Sequence, residues 1–292
     1  MPLFTRPDGD LVRGEDPVRR IMPYLMPGRN ESCVYHETVY RIAAARPWLK
    51  AYNRAHRPRA TLFHLVAYAC AVALQARPRL NRFVSGGRLY QRRGVFVSFV
   101  AKTAFTVEAA DATVKLQALE AEPFQDFSRR ISAQVDEARR SDRAVDKEVA
   151  LIMRFPGPLV RGFVGFARWL DRWNLFPGFM IRDDPMYASL FLANLGSVGL
   201  SDAFHHLYEY GTVSIFGVVS APRRAVFPAK EGAVVEEALS VRWTFDERID
   251  DGFSSARSLG IVQRILEDPG RWQGSPEDAP AWRGGEAAPS EP

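Results

Sequence analysis

At 292 residues, with 47% hydrophobic and 25% charged side chains, the chain can bury a sizeable core and falls outside the disordered, fibrous and disulfide-stapled classes. Its net charge of +5 comes mainly from arginine, and no helix-turn-helix, zinc-finger or aromatic-basic RNA-binding motif accompanies it, so nucleic acid is not an expected partner. The first twenty residues lack an apolar stretch, and the most apolar run, Leu62 to Ala76, is too short to span a bilayer; no transmembrane segment and a cytoplasmic location are expected.

Residues 1–27 are polar and interrupted by proline and glycine, and read as an arm on the surface of the domain that follows. Ser32 to Ile42 is rich in Val, Tyr and Thr and predicts a strand. A helix follows from Arg46 to Arg54, its start set by Pro47. Thr61 then caps a strong helix with Leu62, Leu65, Val66, Ala69, Ala73 and Leu74 on one stripe, stopped by Arg77-Pro78. Two strands are expected near Phe83 to Tyr90 and Val95 to Thr106, with Gly86-Gly87 and Arg93-Gly94 as turn material. Six arginines and no acid lie between Arg77 and Arg93, which is either a solvated strand edge or a patch that attracts phosphate.

Pro123 to Arg140 predicts a charged amphipathic helix buried along Phe124, Phe127, Ile131 and Val135. Pro158 to Trp173 repeats apolar residues at helical spacing (Leu159, Phe163, Phe166, Ala167 and Leu170), despite Gly162 and Gly165. The aromatics of this region admit three readings: core packing, a cover or partner contact, and an amphipathic stretch on a membrane surface. Strands are expected at Met186 to Asn194, Gly211 to Ser220 and Val234 to Phe245, and a final helix begins at Asp251. The tail, residues 271–292, has little to bury and is expected to be disordered. This mixed order of strands and helices predicts an α/β domain over residues 28–270, a two-layer structure with a mixed sheet covered by helices. Cys33 and Cys70 read as buried thiols, and no group of Cys, His and acids has metal-ligand spacing.

The segment Val241 to Leu259, VRWTFDERIDDGFSSARSL, ends a strand in a charged turn that opens a helix. It resembles the Asp-His-Arg-x-x-Asp-Gly motif of the acyltransferase (E2) component of 2-oxoacid dehydrogenase complexes, and is similar to the His-His-x-x-x-Asp-Gly motif of chloramphenicol acetyltransferase. Three further stretches fall in the same order. Arg77-Pro78-Arg79-Leu80-Asn81 resembles the Pro-x-Leu-Asn after the first long helix of the E2 core, and Val97 to Thr103 matches the strand after it. Ala193-Asn194-Leu195-Gly196-Ser197-Val198-Gly199 resembles the Ser-Asn-Leu-Gly-x-x-Gly segment, so the resemblance covers residues 15–268. It implies a chloramphenicol acetyltransferase-like fold and a homotrimer with sites between subunits. It also implies no tightly bound cofactor, with a coenzyme A thioester as substrate. No lipoyl or subunit-binding domain precedes these motifs, so a stand-alone core is expected.

In that family the histidine takes a proton from a thiol or hydroxyl, which then attacks the acyl-CoA thioester. The aspartate four residues on orders the site, and a serine or threonine beside the Asn-Leu-Gly segment stabilises the oxyanion. Here Glu247 stands at the histidine position and Ala193 at the hydroxyl position, while Asp246, Arg248, Asp251 and Gly252 are kept. A free glutamate titrates at about 4.3, far below a thiol at about 8, although burial in an apolar channel raises it by several units. The bland alternative pairs Glu247 with Arg248 or Arg242 and uses Asp251 as a helix cap. His36, Asn194, Ser197 and Ala193 are the expected substrate-side residues; His205 and His206 are placed to reach a neighbouring subunit, and His64 to pack. Three functions stay open: a CoA-dependent acyltransferase with altered or weak transfer, a non-catalytic homologue serving as an oligomeric scaffold, and a surface-binding module that uses the Arg77 to Arg93 patch on anionic lipid or nucleic acid. Whether the chain is an enzyme is left open with them.

Overall fold

The structure is a computed structural model that describes residues 5–102, 111–200 and 202–273. The expected strand end at 103–106 and the expected tail after residue 273 lie outside the described residues. The chain begins with β1 (Gly9–Leu11), α1 (Pro17–Leu25) and β2 (Cys33–Arg41), followed by α2 (Ala45–Ala55) and α3 (Leu62–Ala76). Next come β3 (Arg82–Ser85), β4 (Arg88–Arg92), β5 (Val95–Lys102) and β6 (Asp111–Ala118). Three helices, α4 (Phe124–Ile152), α5 (Gly157–Arg172) and α6 (Gly178–Asp183), lead to β7 (Leu190–Asn194) and β8 (Ile215–Val219). The chain closes with β9 (Arg223–Pro228), β10 (Ala233–Asp246), α7 (Gly252–Glu267) and α8 (Pro269–Gln273).

The main sheet runs β2-β10-β8-β7-β5-β6, with β9 hydrogen-bonded to the first part of β10. Strands β5, β7 and β8 are mutually parallel and the remaining pairs antiparallel, which makes the sheet mixed, as expected. One face carries Leu239, Val241, Trp243 and Phe245 of β10 into a core shared with α3, α4 and α7. The opposite face holds a smaller cluster around Phe191, Phe216 and Val218. α3 sits at the centre of the helix layer because it is apolar all round, and its ten residues from Leu65 to Leu74 are all buried. At its N-terminus Thr61 N donates to His64 Nδ1 at 3.2 Å, so a histidine fills the place that glutamate or glutamine takes in a capping box.

Burial lowers the His64 pKa from 6.5 to about 4. The unfolded imidazole therefore binds a proton in a range where the folded one does not. The stability this contributes is complete above 6.5 and is lost as pH falls through 4. His64→Gln keeps the capping acceptor and removes the titration. Its melting temperature is expected to fall less than that of the parent chain between about pH 7 and about pH 5, as read by circular dichroism.

Several expectations are corrected. The arm of residues 1–27 contributes β1, which pairs with β4 to form a three-stranded sheet with β3, and α1, which Pro17 opens and Asp16 caps by accepting from Val18 N at 2.8 Å. The single strand expected from Phe83 to Tyr90 is a hairpin, β3–β4, turning at Gly86 and Gly87 with φ of 59° and 74°. The strand expected from Met186 begins only at Leu190, because Met186 O accepts from Thr212 N and Val213 N at 2.8 and 3.1 Å in a loop crossing. The crossing is tight enough that a Cβ on Gly211 would lie 2.3 Å from that oxygen.

The arginine-rich run is not a free phosphate-binding edge, because acids of the N-terminal segment and one of the last turn pair with it. Glu15 meets Arg79 and Arg82 at 3.4 and 2.9 Å, Asp10 pairs with Arg93, and Asp250 meets Arg79 at 3.2 Å. Arg92 is buried 3.5 Å from Asp8 and donates to Thr212 O at 2.9 Å, and its burial pulls its pKa down to about 10.

Candidate active site

Strand β10 ends at Asp246, and the next five residues carry the charged turn. Ile249 N donates to Asp246 O at 3.1 Å, so residues 246–249 form a turn rather than extended chain. Within it Asp246 and Arg248 meet each other, and Glu247 pairs with neither. Arg248 Nε and Nη2 donate to the two Asp246 oxygens at 2.8 and 2.7 Å, and Arg248 N adds a third bond at 3.1 Å. Both side chains are essentially inaccessible, and Arg248 Nη1 also donates to Met26 O at 2.8 Å. The turn is tied to β2 by Glu247 N donating to Ser32 O at 3.0 Å.

Arg19 of α1 closes the turn from outside, donating to Glu247 O at 2.9 Å and Asp250 O at 3.0 Å, with its guanidinium 4.0 Å from Asp251. Reading the sequence as an arm missed this residue. The signal was present as Asp16-Pro17, a cap followed by proline at the first helical position.

The Glu247 carboxylate makes no hydrogen bond or ion pair among the described residues. The pairing with Arg248 or Arg242 expected from sequence is not made: Arg248 is taken by Asp246, and Arg242 pairs with Glu37 and lies 3.3 Å from Asp202. Glu247 instead lines a cavity of about 510 Å³ between α1, β2 and the start of α7, with Arg19, His36, Phe245, Asp251 and Leu259 among its walls. His36 is exposed on β2, opposite Trp243 in register, so sequence-expected Glu247, Asp251 and His36 are brought to one cavity.

Asp251 is the N-cap of α7 and accepts from Ser254 N at 2.8 Å. Asp251→Ala is expected to cost about 1 kcal/mol in a urea melt, whereas Asp251→Asn is expected to be nearly neutral, which separates capping from chemistry.

Ala193, Asn194 and Ser197 are not brought to this cavity. Asn194 is level with Val219 of β8, which is level with Val241 of β10, six residues before Glu247. At the rise of a strand that is roughly 20 Å along the sheet. Ala193 packs on the cluster around Phe191, and Ser197 Oγ donates to Asn194 O at 2.7 Å. His205 stacks on Phe216 with ring centroids 4.1 Å apart, and Thr244 Oγ1 donates to its carbonyl. His206 stacks on His205 at 4.7 Å.

Of the two cysteines Cys70 is buried and Cys33 half-buried, and burial raises both thiols above their ordinary pKa. Among the described residues no group of three His, Cys, Asp or Glu could hold a metal ion. Nor is any described helix long and apolar enough to cross a membrane.

Comparison with known proteins bears on the fold. The family model described as 2-oxoacid dehydrogenases acyltransferase (catalytic domain) matches residues 182–273, which include the Asn194 segment and the Glu247 turn. No curated protein matches the chain. Among solved structures it is similar to a probable dihydrolipoamide acetyltransferase from Listeria monocytogenes, at 14% identity and a TM-score of 0.57, covering 94% of this chain and 99% of that one. It is also similar to the cubic core of the pyruvate dehydrogenase multienzyme complex, at 15% identity and a TM-score of 0.58, with 89% and 93% covered. A third is the Azotobacter vinelandii dihydrolipoamide acetyltransferase, at 16% identity, a TM-score of 0.58 and the same coverage, in whose catalytic mechanism a serine, a histidine and an asparagine have roles. The chain thus has the fold of the 2-oxoacid dehydrogenase acyltransferase cores, and its residues 182–273 match the catalytic-domain pattern of that family.

Proposed function

We propose that this protein binds a coenzyme A thioester and transfers its acyl group with altered or weak activity, Glu247 acting where the family's base stands. The observation that carries this reading is the Glu247 carboxylate, left unpaired at a cavity of about 510 Å³ by a turn in which Asp246, Arg248, Asp250 and Asp251 each have a partner. In the proposed step Glu247 takes the proton of a thiol or hydroxyl acceptor. The acceptor sulfur or oxygen attacks the thioester carbonyl, the C–S bond breaks, and the proton passes to the departing CoA thiolate. The Azotobacter relative has its mechanistic histidine and asparagine four positions apart, the spacing of Glu247 and Asp251 here.

Ala193 offers no hydroxyl to the oxyanion, which agrees with a slow reaction. The distance between the Asn194 segment and Glu247 within one chain supports a site completed by a second subunit, and a homotrimer is the assembly we propose. A similar chain forms a cubic core, which supports assembly of this fold in general.

A second reading makes the chain a non-catalytic scaffold. It is favoured by the Asp246–Arg248 pair and the Asp251 cap, which folding alone would maintain. The test is release of free thiol from acetyl-CoA in the presence of small thiol and hydroxyl acceptors. Transfer that disappears in Glu247→Gln, with the melting temperature unchanged, supports the acyltransferase. Thiol release no faster than without protein, by the parent chain and Glu247→Gln alike, supports the scaffold.

A further inference from the structure

Helix α5 shows solvent the side that a helix in a folded domain ordinarily hides. At 100° per residue, Leu159, Phe163, Phe166 and Trp169 fall on one arc, and they are 60%, 54%, 57% and 50% exposed. Of its sixteen residues only Ala167 is buried. The apolar surface continues at both ends, through Phe155 before the helix and Leu175 and Phe179 after it, at 57%, 47% and 68% exposure. Together these seven side chains expose on the order of several hundred Å² of apolar surface, comparable to the largest patch usual for a monomer.

The polar arc of the same helix has one sign. Arg161, Arg168 and Arg172 lie about 180° from Leu159, and none has an ion-pair partner among the described residues. The helix's one acid, Asp171, is turned inward and pairs with buried Arg6 at 2.8 Å. A helix with Phe, Trp and Leu on one arc and arginine as the exposed charge on the other is built to lie in an interface rather than in a core. A helix is about 10–12 Å across with its side chains, so charges on the arginine arc lie on the order of a Debye length from a surface on which the aromatic arc rests.

We infer that the α5 face docks on an anionic lipid bilayer, lying in the headgroup boundary without crossing it. An aromatic arc with arginine on the opposite arc is the pattern of a helix that lies in the headgroup boundary. The whole protein carries +5, the sign that an anionic bilayer attracts. An anionic bilayer supplies the missing counter-charge. This inference is independent of the chemistry at Glu247.

The experiment is co-sedimentation of the full chain with phosphatidylcholine vesicles, with and without about one-third phosphatidylglycerol, across a salt series. The expected result is binding to the anionic vesicles that weakens with salt and is at least about tenfold stronger than to phosphatidylcholine alone. Phe163→Ser with Phe166→Ser, and separately Arg161→Gln with Arg168→Gln, are each expected to lower that binding about tenfold while keeping the parent melting temperature. Equal sedimentation with and without anionic vesicles would overturn the inference. So would an oligomer that dissociates, by light scattering, when Phe163 and Phe166 are changed, since a second copy would then cover the face.

Discussion

Arg248→Ala is expected to lower the unfolding free energy by about 3–5 kcal/mol, because it leaves the Asp246 carboxylate buried without its charge partner. The pair is nearly ideal: two parallel bonds at 2.8 and 2.7 Å between groups with 2% and 0% of their side chains exposed. The third guanidinium nitrogen of Arg248, Nη1, donates to Met26 O at 2.8 Å and Pro27 O at 3.3 Å, so the loss also frees the C-terminal end of α1. Arg248→Lys is expected to recover only part of the loss, since an ammonium cannot make the bidentate contact. Replacing both residues by apolar ones of similar volume is expected to be far milder than either single change. Urea melts of the four proteins check this. A loss below about 1 kcal/mol for Arg248→Ala would mean that the turn is held by something other than this pair.

Glu247→His is expected to raise acyl transfer from acetyl-CoA to a thiol acceptor by about 10²–10⁴-fold, the usual worth of a positioned general base. The position already faces the cavity, and its neighbours Asp246, Arg248 and Asp251 are held in place by bonds that do not involve the 247 side chain. An imidazole titrates at about 6.5 and can accept a thiol proton and return it near neutral pH. Adding Ala193→Ser is expected to increase the rate further by restoring an oxyanion donor, and only if a second subunit brings that segment to the site. A stopped assay for free thiol, run beside the parent chain, reads both effects. A Glu247→His protein that folds normally and shows no gain would argue for the scaffold.

How much of this could be read from the sequence depends on how local the cause is. α3 was legible because ten consecutive apolar residues leave nowhere but the core to put them. The turn was legible because its motif is short and its charges sit at fixed offsets. β9 was not legible: its burial alternates only between exposed and half-buried, since it is an edge ribbon with no core face. α1 was hidden by Pro23 inside it and by an apolar stripe that faces solvent, with Val18 and Tyr24 each 68% exposed.

The pairing of the arginine run with Asp8, Asp10 and Glu15 is a contact across more than sixty residues, with no local signal to announce it. The pairing expected for Glu247 failed because the turn at 246–249 brings Arg248 onto Asp246, and that turn is held by bonds to Ser32, Met26 and Arg19, which are distant in sequence.

The central claim is that the cavity beside Glu247 receives a coenzyme A thioester. Calorimetric titration of the parent chain and of Glu247→Ala with CoA and acetyl-CoA tests it most directly. The account predicts micromolar binding by both proteins, with comparable affinity, because the cavity binds the ligand and the carboxylate acts only on the proton. No detectable heat from either protein would contradict it and would leave the scaffold as the function of this fold.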